Sequence, residues 1–354
     1  LHAYPTRVIA GATVLAGKGL EPLHDALVEF DGTTVSSVGP RPEQVERTHA
    51  ASMTLIPGFI DAHVHIGLYE PADVLAGGVT TVRDLAWPVD VIGALVQLSR
   101  SNDFDGPTVI AAGPMLTAPG GYPTTATWAP PGTGLEVGGP DDAARAVASV
   151  VEGGFSIVKI ALNPPAGPVL DAATLQAIVD AAHERGLKVT GHIYGLEQLE
   201  KALDARVDEL AHMLMSDETI PDRTVRRMVD QNVAVVPTLS IFSGPSQRTA
   251  IANLHSFRKA GGRVIYGTDL GNEGPKPGID AREIKAMSNA GMSGLDIVRA
   301  ATVDSADWLG LTSVGAIAPG MDADLVLVEG DPLEDPTALT DVVGVWRRGI
   351  ARAS

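Results

Sequence analysis

His63 and His65 close the run Leu55-Ile56-Pro57-Gly58-Phe59-Ile60-Asp61-Ala62-His63-Val64-His65. Side chains alternate between the faces of a strand, so residues two apart project together. Two neutral imidazoles side by side at a strand end make half of a divalent metal site. The apolar flanks and the Pro57-Gly58 start weigh against a stray surface pair. Further candidates recur downstream, each in or at the end of a β-rich run: Lys159, His192, His212 and Asp269. One histidine at a strand end is ordinarily a core or capping residue. Four of them, with an aspartate and an inward lysine, form the pattern of a metal cluster. Taken alone, Lys159 reads more readily as a snorkelling lysine or a carboxylate's partner.

The elements that must position these groups follow from the pattern. Short β runs at residues 59–65, 80–85, 108–112, 157–161, 188–192, 209–212, 234–238 and 263–268 alternate with helical stretches, among them 141–152, 172–185, 197–205 and 224–231. Eight such runs predict an α/β fold, a closed (β/α)8 TIM barrel whose C-terminal rim assembles the chemistry. The first 56 residues read as short strands and turns (8–10, 12–15, 26–30 and 34–38), and strand character returns at 320–328 and 342–347. We expect a small β-sandwich domain built from both chain ends, 1–56 plus 310–354, beside a barrel of 57–309. The stretch 117–140, rich in Pro, Gly and Thr, reads as a long functional or mobile loop. Arg83 and Asp84, ending the second run, read as a structural ion pair rather than a substrate clamp.

Composition bounds the partners. The chain has 354 residues, no cysteine, and 43 acids against 26 lysines and arginines, a net charge of −17. So acidic a surface disfavours nucleic acid and anionic membrane. Without thiolates, any metal is held by nitrogen and oxygen. No apolar run is long enough to span a bilayer. The chain starts at Leu1, which leaves a trimmed leader open, and nothing that remains reads as a signal peptide. A cytoplasmic enzyme acting on a small-molecule substrate is the expectation.

The chain resembles the amidohydrolase superfamily, in its prolidase-like or imidazolonepropionase-like branch. The resemblance rests on the His63-Val64-His65 segment above, Gly78-Val79-Thr80-Thr81-Val82-Arg83-Asp84-Leu85, Gly191-His192-Ile193-Tyr194-Gly195, Tyr266-Gly267-Thr268-Asp269-Leu270-Gly271 and Gly320-Met321-Asp322-Ala323-Asp324-Leu325-Val326. It implies two divalent metal ions. One would take His63, His65 and Asp269, the other His192 and His212, with Lys159 carboxylated on Nζ as the bridge. An ammonium has no lone pair to offer two dications, whereas a carbamate supplies two anionic oxygens. Zinc is the first expectation, with Mn, Co and Ni suited to the same ligands. Superfamily habit implies a homo-oligomer.

The implied activity is hydrolysis of an amide C–N bond in a small substrate such as a dipeptide or N-acyl amino acid, with Asp269 as general base and then acid. Tyr194, two residues beyond His192, reads either as a hydrogen-bond donor to the oxyanion or to a substrate carboxylate, or as a packing tyrosine. Tyr122, Trp87 and Trp128 read as an apolar subsite or as loop packing. Prolidase-like relatives commonly carry Gly-Gly-His where this chain has Gly120-Gly121-Tyr122, which weighs against dipeptide recognition. The same site would serve an ester, lactone or phosphotriester. A mononuclear deaminase is less favoured, since Gly195 stands where many deaminases place an acid. A catalytically inactive, metal-free scaffold would predict lost ligands.

Overall fold

A computed structural model describes residues 7–49 and 51–352. The outermost residues of the expected terminal domain, 1–6 and 353–354, together with residue 50, lie outside the described residues. Eight parallel runs form the interior: Phe59–Val64, Val79–Asp84, Thr108–Ala111, Ile157–Leu162, Lys188–Ile193, Glu209–Leu210, Ala234–Val235 and Arg263–Val264. Backbone hydrogen bonds close them on themselves. Ser156 N–H donates to Ala111 O at 3.3 Å, linking the third run to the fourth. Ala62 N–H reaches Tyr266 O at 3.0 Å, and Asp269 N–H reaches His63 O at 2.7 Å, linking the last run to the first. The arrangement is TIM-barrel-like.

Burial on both faces is what makes such strands read as near-continuous apolar runs. Every residue of Ile157–Leu162 is buried, and the helices supply the outer cover. Pro140–Glu152 starts with Pro at its first turn and two aspartates at the positive end of its dipole. It turns Ala143, Ala146, Val147 and Val150 inward at helical spacing. Ala172–His183 is capped by the Asp171 carboxylate, which accepts the Thr174 N–H.

The register sets the depth of each polar side chain. Lys159 pairs with Thr190, and Thr190 with Glu209, so these three share one level of the interior; His192, paired with Ala161, starts one level higher. The long stem of Lys159 is what lets its amine meet the histidines.

Both chain ends meet beside the first barrel strand. Met53–Pro57 pairs antiparallel with Leu325–Glu329, Leu325 opposite Pro57. A six-stranded and a three-stranded sheet share a core that includes Val14, Phe30, Leu55, Leu325 and Leu327. Gly58 then carries the chain into the barrel, where any Cβ would collide with the Thr80 side chain.

Two expectations are corrected. The runs expected at 209–212, 234–238 and 263–268 keep ladder pairing for two residues each. Past that point the chain bends toward the rim, and Thr238 and Asp269 adopt left-handed φ angles of 44° and 57°. The stretch 117–140 is also not wholly a loop, since Gly134–Glu136 forms a strand parallel to Met115–Thr117.

Candidate metal centre

The strand ends bring His63, His65, Lys159, His192, His212 and Asp269 to one pocket of about 330 Å³. All six are buried. Asp269 Oδ1 lies 3.3 Å from His63 Nε2 and 3.2 Å from His65 Nε2. Ligands about 2.1 Å from a tetrahedral cation stand roughly 3.4 Å apart, so this trio has the spacing of a coordination shell. One ligand atom from each of the three lies within 4.8 Å of the others. Across the pocket, His192 Nδ1 and His212 Nε2 face each other at 3.2 Å.

Partners behind the rings decide which nitrogen is free. His63 Nδ1–H donates to Ala211 O at 2.7 Å, leaving Nε2 as a lone pair toward Asp269. His212 Nδ1 is held by Thr238 Oγ1 at 2.9 Å, so Nε2 points into the pocket. The left-handed backbone of Thr238 positions that hydroxyl. Strained backbone at two residues of one site, Thr238 and Asp269, is typical of function imposed on a fold. Asn163 lies against His192 Nε2 at 3.1 Å with its own Oδ1 unpartnered. Turning the amide over makes Oδ1 the acceptor of an Nε2–H and leaves Nδ1 free for a cation.

The electrostatics agree. Burial, reinforced by Lys159, pushes His63 well below the ordinary imidazole value and His192 down to about 3. Burial and the neighbouring His192 do the same for His212. Burial also opposes a proton on His65, but the Asp269 carboxylate outweighs it and lifts that ring. For Lys159, burial outweighs the attraction of Asp269 and Glu209 and lowers the amine to about 7. Lys159 Nζ and Asp269 Oδ1 are buried without a hydrogen-bond partner. Burying such atoms unpaired costs several kcal/mol, so the donor set fits divalent cations and a neutral, modifiable amine.

An aromatic wall closes one side. The Trp128 ring stands 4.9 Å from His65, and the Tyr122 ring 4.9 Å from His192. Trp87, expected on this wall, instead stacks behind Trp128 with planes 8° apart and is 5% exposed. Gly67 makes room for it, because any Cβ there would overlap the indole. Tyr194 is not brought to the pocket. Its strand ends at Ile193, so the two-residue alternation no longer governs it, and it is 37% exposed. Arg83 does not pair with Asp84 but with Glu209, at 2.6 and 3.1 Å. Asp84 instead accepts the Ile66 and Ala86 N–H groups.

Several participants escaped the sequence reading. Asp61 braces the first and last strands, accepting from His63 N–H at 3.0 Å and from the Thr268 hydroxyl at 2.6 Å. Its place within the His-x-His run was the available signal. Thr238, Asn272 and Glu273 carried none, since their loops are placed only by ring closure.

The model of the family described as "Amidohydrolase family" matches residues 54–351. An uncharacterized protein of Mycobacterium tuberculosis is 27% identical over 326 residues, covering 80% of this chain and 81% of that protein. The ochratoxinase of Aspergillus niger is 23% identical over 425 residues, covering 97% and 85%. The crystal structure of a Xaa-Pro dipeptidase with bound methionine superposes with a TM-score of 0.83 at 22% identity, covering 98% of this chain and 99% of that one.

Proposed function

From the premise that this chain belongs to the amidohydrolase family, we propose that it is a binuclear metal-dependent hydrolase cleaving the C–N bond of a small amide of the dipeptide or N-acyl amino acid kind. The observation that carries this reading is the convergence of four buried imidazoles on two unpartnered groups, Lys159 Nζ and Asp269 Oδ1. His63, His65 and Asp269 would hold one cation and His192 and His212 the other, with Lys159 joining them as its carbamate. Bound there, divalent ions would supply Lewis acidity, polarising a carbonyl and bringing the pKa of water down to about 7.

The chain's own residues do the rest. The low proton affinity of Lys159 Nζ keeps the amine nucleophilic toward CO2. Asp269 stands at the centre of the cluster, so its carboxylate takes the proton of the attacking water and returns it to the departing amine nitrogen. Asn272 Nδ2, 2.6 Å from Asp269 Oδ2, orients that carboxylate. Tyr122 and Trp128 exclude bulk water from one side and seat the substrate's apolar part.

Metal analysis with an amide screen tests the reading. We expect about two divalent ions per chain, hydrolysis that chelation abolishes and added metal restores, and Zn as the first ion to try. Carefully purified protein that takes up no metal would sink it in favour of an inactive scaffold.

A further inference from the structure

The pocket around these ligands is uneven in charge. Among the described residues lining it there is no arginine, and the one lysine, Lys159, sits among the proposed metal ligands. The other charged lining groups are acids, Asp269 within and Glu273 at the mouth. Of the two lining amides, Asn272 Nδ2 donates to Asp269, and Asn163 lies against His192. The remaining wall is apolar or aromatic, including Leu68, Met115, Met215 and Trp128. The cations of the proposed centre would be occupied by the scissile group. A substrate carboxylate elsewhere in the pocket would find no second positive charge and few side-chain donors, the amides and the Tyr122 hydroxyl among them, so it would lose its hydration largely uncompensated. One held at the mouth meets Glu273 and a chain of net charge −17.

Resting on the amide-hydrolase reading above, we propose that the substrate carries no free carboxylate: it is a neutral small amide, with its acid masked or absent and an aromatic or branched apolar group against Trp128 and Tyr122. Within the dipeptide and N-acyl amino acid class, the members with a free acid are then poor substrates and those with the acid esterified or amidated good ones. The specificity element is an absence of charge in the wall, reinforced by Glu273.

Matched pairs test this on metal-replete protein: alanyl-pyrrolidide against alanyl-proline, and acetanilide against 4-acetamidobenzoate. Each pair keeps the scissile amide and differs by one carboxylate. We expect kcat/KM at least tenfold higher for the neutral member of both pairs, and Glu273→Arg to shift that ratio at least threefold toward the acid. Equal or faster turnover of the acids in the unaltered protein overturns the inference while leaving the hydrolase reading intact. Where neither member of a pair is turned over, the hydrolase reading is what suffers, and calorimetric binding of the same pairs decides the inference. Tighter binding of the neutral member supports it; tighter binding of the acid, or binding of neither, overturns it.

Discussion

The barrel interior holds two buried polar clusters, and they differ in how completely their atoms are paired. Toward the N-terminal ends of the strands, Glu209 accepts from Arg83 Nη1 and Nη2, from Thr190 Oγ1 at 2.6 Å and from Trp308 Nε1 at 2.7 Å. Arg83 Nε donates to Ala62 O at 2.7 Å. Toward the C-terminal ends, Lys159 and Asp269 are equally buried, yet each keeps an atom without a partner. The lower cluster is a saturated network that fixes strand positions. The upper one leaves buried polar atoms unpaired, as the proposed metal centre requires, and it is built on strained backbone. Burial alone therefore does not separate a structural ion pair from a reaction centre; the pairing of each polar atom does.

The comparison is sharpest under mutation. Asp269→Asn keeps the shape but removes the proton carrier, so kcat should fall about 10²–10⁴-fold with smaller loss of bound metal, read by steady-state kinetics beside elemental analysis. Unchanged turnover would refute that role for Asp269. Arg83→Met strands the Glu209 carboxylate and should cost about 3–5 kcal/mol of stability, read by chemical denaturation; a cost under about 1 kcal/mol would mean that the lower network is not structural. Asn163→Leu removes the support behind His192 and should weaken metal affinity about 10–100-fold, seen as loss of the second equivalent in a metal titration. Lys159→Met works in the opposite direction from Arg83→Met. It removes an unpaired buried amine, so the metal-free protein should be as stable or more stable while activity disappears. A Lys159→Met variant as unstable as Arg83→Met would erase the contrast.

Glu283 offers the mildest test. Ser240 N–H donates to one of its oxygens at 2.7 Å, and its other oxygen is unpartnered. Burial raises this carboxyl from 4.5 to about 8. The folded state then holds a proton that the unfolded chain releases, so stability falls as pH rises between those values, by up to about 1.4 kcal/mol per pH unit. Glu283→Gln should flatten that slope in denaturation midpoints measured from pH 5 to 8. An unchanged slope would mean that other groups govern it.

Much of the pocket's polar lining was legible in the linear chain because those side chains are tied to periodic elements. The alternation of a strand puts His63 and His65 together, and the apolar run through His192 marks a strand that ends at Ile193, whereas Asp269 lies past the point where its run has left the ladder. Where an element stopped, legibility stopped with it. Of the two readings the sequence leaves open for each, Tyr194, past the end of its strand, and Trp87, stacked behind Trp128, take the one away from the pocket. Arg83 was matched to its neighbour Asp84 because its partner, Glu209, is 126 positions away.

Local periodicity, charge and residue type thus determined that five of eight β runs carry or end on imidazoles, an acid and an amine suited to cations. Only closure of the ring decided the rest: which buried atoms find partners, which nitrogen of each histidine is free, and that the pocket wall holds aromatics but, among the described residues, no arginine and no lysine beyond Lys159. Periodicity acts between residues a few positions apart, whereas the pairing of polar atoms is settled between strands that the sequence holds far from one another.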